Sequence, residues 1–520
     1  MRMEKSIPLE AVRSSKKRRL LTGQVHFIGI GGIGMSALAR YFLALNRAEG
    51  LALSAARQRR PFDKLRARPK MASNWLVSGS DTMASPLTQK LAKEGVNVKI
   101  GHLKGHVTPD LDLVVYSQAI TPDNPELREA KRLHIPCRSY PEAVGRLTEK
   151  YRTIAVAGSH GKSTTAALIG LILKKASFDP TIIIGTELKE LDGKNFRLGR
   201  GKYLVLEADE FGRAFHHYSP AFAIVTNVDR EHLDVYQSLA GVQKGFLEFI
   251  GKIKTGGVAV LNKDNEPLVA LESKIAAIAR HNNIKVIWYS LYGSVAKKIK
   301  RALKIPGIHN VSNALAAYRL AAAMKIPGPK ILSVFRSYRG SSRRFEYRGT
   351  CQVSGIKCQV YDDYAHHPTE IKATLQAFRE KYPDSKIVCV FQPHQAKRLE
   401  ALFKEFQTAF DGADTTLVLP IYKVAGRDKV KGQMSNVKCS SEALVRAIQK
   451  LRPARRVFYL KNPKHLKSAL TMLLSSPPPP RPPRQLSSRP RKSASRQRQS
   501  ALVVMMGAGD IVNYTDSLIK

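Results

Sequence analysis

Acidic residues are scarce in this chain: 41 Asp and Glu stand against 86 Lys and Arg over 520 residues, a formal net charge of +45. Cysteine is scarce too. The five present, Cys137, Cys351, Cys358, Cys389 and Cys439, are an odd number, widely scattered and without a CxxC pair, so neither a disulfide framework nor a zinc site is expected. A reducing cytoplasm fits that usage. No apolar run approaches the roughly 20 residues that cross a bilayer, so no membrane insertion is expected. The stretch to Leu21 carries Lys16, Lys17, Arg18 and Arg19 but leads into no apolar signal core, which argues against export. No internal repeat of fixed period occurs.

What is present is ordinary for a folded protein: 43% apolar and 24% charged residues, in a length that suits two to four domains. Taken whole, the charge suggests a polyanion partner, and a basic RNA-binding tail is one alternative. Its distribution weakens that reading. Residues 1–22, 46–73 and 476–500 carry net charges of +5, +6 and +7, so 75 residues hold 18 of the 45. The segment 46–73 mixes arginine clusters with Pro61 and Pro69, and 476–500 contains PPPPRPP followed by an Arg/Ser run. Both read as solvated, extended insertions in a folded frame, and no RNP, KH or zinc-knuckle pattern stands beside them, so no specific nucleic acid is expected.

Between these segments, short apolar runs alternate with helical patterns, the rhythm of parallel sheets with crossover helices and an α/β fold. Strands are expected at 25–30, 76–78, 113–116, 153–157, 203–207, 223–226, 359–361, 387–391, 416–419 and 503–506.

HFIGIGGIGMSALARYF sets Gly29, Gly31 and Gly34 in a GxGxxG turn between a strand and a helix, where backbone N–H groups meet a pyrophosphate. The acid that usually ends a second strand about 20 residues on is missing there, but removing 46–73 joins FLAL to NWLVSGSD and brings Asp81 to the end of a second strand. A second turn, TIAVAGSHGKSTTAALIGLIL, has the layout of a P-loop: Gly158, Gly161, Lys162 to neutralise β/γ-phosphate charge and Ser163 to bind Mg²⁺. The strict pattern fails at Val156. The next apolar strand ends in Glu207, Asp209 and Glu210, where a carboxylate would face the same ion. A third ends in NVDREHLD, with Asn227, His232 and Asp234 at that sheet edge.

HFIGIGGIGMSALA, AGSHGKSTT, LEADE, TNVDREHLD, GIHNVSNALAA, SSRRFE, DDYAHHPTE, FQPH and GAGD, in that order, closely resemble the Mur ligases of peptidoglycan synthesis, and the first turn resembles their alanine-adding branch. The resemblance covers about Gly23 to Lys520 apart from the insertions. It implies three α/β domains: a Rossmann-like UDP-sugar domain over 23–150 after a basic tail 1–22, a P-loop ATPase-like central domain over 151–340, and a Rossmann-like C-terminal ligase domain over 341–520. It further implies a cytoplasmic, ATP- and Mg²⁺-dependent enzyme, monomer or weak homodimer, that joins L-alanine to the carboxylate of UDP-N-acetylmuramate through an acyl phosphate. A relative adding another amino acid or peptide, or an inactive nucleotide- or polyanion-binding homologue, is the alternative.

Carried over by motif, Gly29, Ile30, Gly31, Gly32, Ile33 and Gly34 would hold the UDP diphosphate, and Ser80 and Asp81 would line the sugar-nucleotide site. Gly158, Ser159, His160, Gly161, Lys162, Ser163 and Thr164 would cradle ATP phosphates. Glu207 would share the first Mg²⁺ with Ser163, and His232 would ligate a second. His309, Asn310 and Asn313 match positions near adenine, Arg343 or Arg344 the phosphate arginine, and Asp363 the ribose acid. His366, His367, His394 and Arg398 match the side where amino acid and acyl group meet, with His367 or His394 as base or charge stabiliser. Gln395 stands where the branch often has Arg. Leu247 stands where sister ligases carry a modified lysine.

Overall fold

The computed structural model describes residues 22–57, 74–353, 355–422, 439–475 and 501–519. The tail 1–21, residues 58–73 and the segment 476–500 lie outside the described residues. Three sheets, of five, seven and six strands, carry the described chain. It forms two compact units, one from the described residues of 1–155, 177–222 and 252–257, the other from those of 156–176, 223–251 and 258–520.

In the first unit, β1 (Thr22–Ile28), β2 (Asn74–Asp81), β3 (Asn97–Ile100), β4 (Leu113–Tyr116) and β5 (Cys137–Ser139) form a parallel sheet in the order β3-β2-β1-β4-β5. Val25, Phe27 and Ile28 are fully buried, as a central parallel strand requires. The same unit holds β6 (Arg152–Ala157) through Ala155, with β7 (Thr181–Leu188), β8 (Lys194–Arg197) and β9 (Tyr203–Glu207) beside it in the order β6-β9-β7-β8.

The second unit contains β10 (Phe222–Val225) from Ala223 on, β11 (Val258–Asn262) and β12 (Lys285–Tyr289), side by side in the order β12-β11-β10. It also holds the C-terminal sheet, with β13 (Glu346–Val353), β14 (Ile356–Asp363), β15 (Lys386–Phe391), β16 (Thr415–Val418), β17 (Arg456–Tyr459) and β18 (Ala501–Met506) in the order β13-β14-β18-β15-β16-β17. Only β13 in that sheet runs antiparallel, to β14. Apolar clusters cover both of its faces.

One expectation fails here. The first helix runs Ile33–Arg57, so residues 46–57 continue a helix instead of opening an extended insertion; RAEGLALSAAR is rich in Ala, Leu and Arg, which favour helix despite the flanking charge. The flanks of the removed segment nevertheless meet. Asn46 Nδ2 donates to the Trp75 carbonyl at 2.8 Å, and Trp75 N–H donates to Asn46 Oδ1 at 2.5 Å.

Candidate functional site

In the first unit, the chain leaves β1 at Gly29, whose φ of +81° an L side chain resists. Gly29 and Ile30 N–H both donate to the Ser80 carbonyl at 2.9 Å, and Gly31 N–H donates to Asp81 Oδ2 at 2.8 Å. A Cβ on Gly34 would lie 2.7 Å from the Tyr140 ring, so the helix sits too close for any side chain there. The N-terminus of the helix from Ile33 offers N–H groups to an anion.

Ser80 departs from expectation. It is fully buried, and its hydroxyl donates to Glu126 at 2.5 Å, so it supports the turn from beneath and does not line a ligand site. Glu126 is a hub that sequence reading missed. His106 Nδ1 lies 2.6 Å from it, His102 Nδ1 3.3 Å and His26 Nε2 3.6 Å. Burial pushes this carboxyl up, but hydrogen bonds from His26, Ser80 and His106 prevail and bring it down to about 2. Asn195 ties the helix start, donating to the Ile33 carbonyl at 2.6 Å and accepting from Arg40 at 2.5 Å. Glu207 ends β9 and accepts from Gly185 N–H at 2.7 Å.

In the second unit, the loop after Ala157 is clasped by the end of β10. Asn227 accepts from His160 N–H at 2.8 Å and donates to the His160 carbonyl at 3.0 Å, while Thr226 Oγ1 donates to that carbonyl at 2.6 Å. Gly158 and Gly161 hold φ of +133° and +82°, and a Cβ on either would collide with Thr226 or Asn313. Lys162 Nζ bends back onto the Gly158 and Ser159 carbonyls at 2.7 and 3.3 Å. Ser163 and Thr164 begin the helix Lys162–Lys175 at the wall of a cavity of about 240 Å³.

The same cavity is lined by His309, Asn310 and Asn313, by Asn262 and Asn265, and by Arg344, Asp363 and Glu370. Burial, then the nearby Arg344, lowers His309 to about 4, so it is a neutral imidazole whose buried Nδ1 has no hydrogen-bond partner among the described residues. Asp363 accepts from Phe345 N–H at 2.8 Å and Ala365 N–H at 2.9 Å; burial raises its carboxyl. Of the two adjacent arginines, Arg344 faces the cavity. Arg343 donates to the Gly507 and Gly509 carbonyls at 2.6 and 3.0 Å, which ties it to the chain after β18.

Beside the cavity lies a buried set of charges. His160 Nε2 is 2.9 Å from Asp229, and its Nδ1 is 3.3 Å from Glu370. Burial alone would lower His160, but the Asp229 and Glu370 carboxylates outweigh it and raise it to about 10. Thr369 Oγ1 donates to Asp229 at 2.8 Å. Arg398 donates to Glu231 at 3.1 Å and contacts His394 Nδ1 at 3.2 Å; against its burial, that arginine and the neighbouring histidines hold Glu231 well below the ordinary carboxylate range. His366 lies 3.2 Å from Glu370, and the His394 ring stacks on Tyr422. His232 sits at φ +52° before the short helix Leu233–Tyr236. Gln395 adopts φ +68° and its N–H donates to the Tyr422 carbonyl.

His367 caps the helix Pro368–Lys381, its Nδ1 accepting from Thr369 N–H at 3.3 Å. Burial, then the His160 charge, lowers it to about 4. A neutral ring whose Nδ1 accepts carries its proton on Nε2, a buried atom with no hydrogen-bond partner among the described residues. In this arrangement Nδ1 is occupied by the Thr369 N–H. Asp229, Thr369, Glu370, Asn262 and Asn265 were absent from the expected site; DDYAHHPTE contained the signal for Thr369 and Glu370, and TNVDREHLD that for Asp229, but no motif marks Asn262 and Asn265.

Comparison with known proteins finds three family patterns in the chain. The pattern of the Mur ligase family, catalytic domain, matches residues 72–152; that of the Mur ligase middle domain matches 156–321; that of the Mur ligase, glutamate ligase domain, matches 343–476. A UDP-N-acetylmuramate--L-alanine ligase from Sulfurihydrogenibium sp. (strain YO3AOP1) is 34% identical over 508 residues, covering 96% of this chain and 97% of its own. One of the same name from Aquifex aeolicus (strain VF5) is 38% identical over 412 residues, covering 76% and 83%. In fold, the chain is similar to a crystal structure of UDP-N-acetylmuramate-alanine ligase from Thermotoga maritima, with TM-score 0.66, 23% identity, and coverage of 95% and 98%.

Proposed function

The chain belongs to the Mur ligase family, and from that membership and the site geometry we infer that it is an ATP-dependent ligase joining L-alanine to the carboxylate of UDP-N-acetylmuramate in peptidoglycan precursor synthesis. One observation carries the reading: a single cavity gathers the phosphate-loop residues Ser163 and Thr164, the asparagines Asn310 and Asn313, and Arg344, Asp363 and Glu370 from the C-terminal part. Among the described residues no helix is long and apolar enough to cross a membrane. We place the enzyme in the cytoplasm, with a UDP-sugar domain over 23–150, an ATP domain over 151–340 and a ligase domain over 341–520.

A carboxylate and an amine do not condense at neutral pH, so the acid must first be activated. The muramoyl carboxylate attacks the γ-phosphate in line, giving an acyl phosphate and ADP. Lys162 leaves the Gly158 and Ser159 carbonyls for the β/γ-phosphate oxygens, and Arg344, which lines the cavity beside Glu370, offsets charge on the transferring group. Ser163, Glu207 and His232 would hold Mg²⁺; the Ser163 hydroxyl at the cavity wall fits a hard cation that neutralises phosphate charge. His160, kept cationic between Asp229 and Glu370, adds a fixed positive charge within the loop.

The alanine amine, once deprotonated, adds to the acyl carbon, and the tetrahedral intermediate collapses to amide and phosphate. His366, His394 and Arg398 form the amino-acid side, and His394 is the base. His367 donates from Nε2 to developing negative charge.

The test is phosphate release from ATP with UDP-N-acetylmuramate and, in turn, L-alanine, L-serine, glycine or a tripeptide. Release that depends on L-alanine is expected. Release with the tripeptide alone assigns a sister activity, and none with any acceptor overturns the ligase reading.

A further inference from the structure

Two thiols that the ligase chemistry does not use face one another in the C-terminal sheet. Cys351 on β13 and Cys358 on β14 are direct register partners across the antiparallel pair. Opposed Cα atoms in such a ladder lie about 4.5 to 5.5 Å apart. A disulfide spans Cα separations of about 4.4 to 6.8 Å, so the backbone already holds the two at bonding range. Both side chains point to the same face, where they join Val353 and Val360 in one apolar cluster, and both are free thiols.

The two are unequal. Contact with the Cys358 side chain holds the Cys351 thiol below its ordinary range, while the Cys351 side chain and burial drive the Cys358 thiol up, and Cys358 S–H itself donates to the Ile356 carbonyl at 3.6 Å. Cys351 is therefore the better nucleophile. It also sits on the edge strand, where local opening of the hairpin uncovers it without parting the inner strands of the sheet.

We propose that Cys351 and Cys358 form a redox-active dithiol that a small-molecule disulfide closes to an intramolecular disulfide. The Cys351 thiolate attacks one sulfur of the oxidant and expels a thiolate, which takes up the proton Cys351 lost. The Cys358 thiolate then attacks the Cys351 sulfur of the mixed disulfide and expels the second thiolate, which takes up the Cys358 proton. The protein loses two electrons and two protons, and the oxidant becomes two thiols. The closed pair links β13, which begins just after Arg344 and Phe345, to β14, which ends at Asp363. It thus crosslinks the two arms that bring these residues to the nucleotide cavity.

The experiment treats the native full-length enzyme with 2-hydroxyethyl disulfide, quenches with acid and reads intact mass and a non-reducing tryptic digest. Trypsin cuts after Lys357, between the two cysteines, so the disulfide appears as a crosslinked peptide pair. The expected result is loss of the mass of two hydrogen atoms, that crosslinked pair, and reversal by dithiothreitol. Cys351→Ser and Cys358→Ser should each abolish the crosslink while retaining the wild-type circular dichroism spectrum. An unchanged mass, adducts confined to Cys137, Cys389 or Cys439, or a crosslink that survives Cys351→Ser overturns the proposal.

Discussion

At the first glycine turn, the N–H groups of Gly29, Ile30, Gly31 and Gly32 all have protein acceptors: the Ser80 carbonyl twice, the Asp81 carboxylate, and the Gly29 carbonyl. At the second, a lysine is folded onto the loop's own carbonyls and a histidinium is lodged between two carboxylates. Both turns follow a strand and open a helix, and both need glycines at positive φ. The first is a finished shape that waits for a ligand to dock. The second is a set of charges whose contacts must be exchanged when phosphate arrives. A phosphate-binding turn can therefore be built to position or to react, and the difference lies in what occupies the turn before the ligand does.

The contrast breaks most sharply at Lys162. Lys162→Ala should cut kcat by ~10³-fold, as for loss of a principal charge on the transferring phosphoryl group, while leaving UDP-N-acetylmuramate binding unchanged in calorimetry. Turnover near the wild-type rate would end the reactive reading of the second loop.

The two neighbouring arginines offer the next test. Arg344→Ala should lower kcat/KM for ATP by ~10²-fold with little change in melting temperature, because its guanidinium faces the cavity. Arg343→Ala should chiefly lower the melting temperature, because its bonds go to the Gly507 and Gly509 carbonyls. The reverse pattern would exchange their roles.

At the first turn a shape defect should appear in binding alone. Asp81→Ala leaves Gly31 N–H without its acceptor and should raise KM for the UDP-sugar by ~10-fold, with kcat and KM for ATP nearly unchanged. A matching loss in ATP kinetics would show that the turn also takes part in the reaction.

The smallest effect is a change of pH dependence under that turn. Glu126 is held near 2 against an ordinary 4.5, so its contribution to stability is present above about 4.5 and lost as pH falls through about 2. Glu126→Gln should lower the melting temperature by roughly 5 °C at pH 7 and flatten the fall in stability between pH 4.5 and 2. An unaltered acid limb would show that the hub is not ionised in the fold.

Much of this organisation was legible. Each of the ten expected strands is a strand, because buried parallel strands announce themselves as short apolar runs. Others were not. β3 (NVKI) is mostly exposed, and β5 (CRS) is too short for a pattern. β7 and β11 are as apolar as those that were read, but they lacked a glycine turn or motif to draw attention. Site residues on motifs were readable by position, whereas their present partners were not. Asp229 and Thr369 are 140 residues apart, and Glu126 draws histidines from two separate segments, His26 from one and His102 and His106 from the other. Only tertiary packing decides that Ser80 turns inward, that Arg343 is tied and that His367 keeps its proton on Nε2.

The paired hydrogen bonds between Asn46 and Trp75 have a practical corollary. They fasten the middle of the first helix to the start of β2, so lengthening the connection between Arg57 and Asn74 would add closure entropy only with the logarithm of its length. Such a junction is a ready docking port for engineering: an affinity handle or reporter spliced in beyond Arg57 would enter through an already fastened gate, on the amino-terminal side of β2, at the opposite strand end from Asp81.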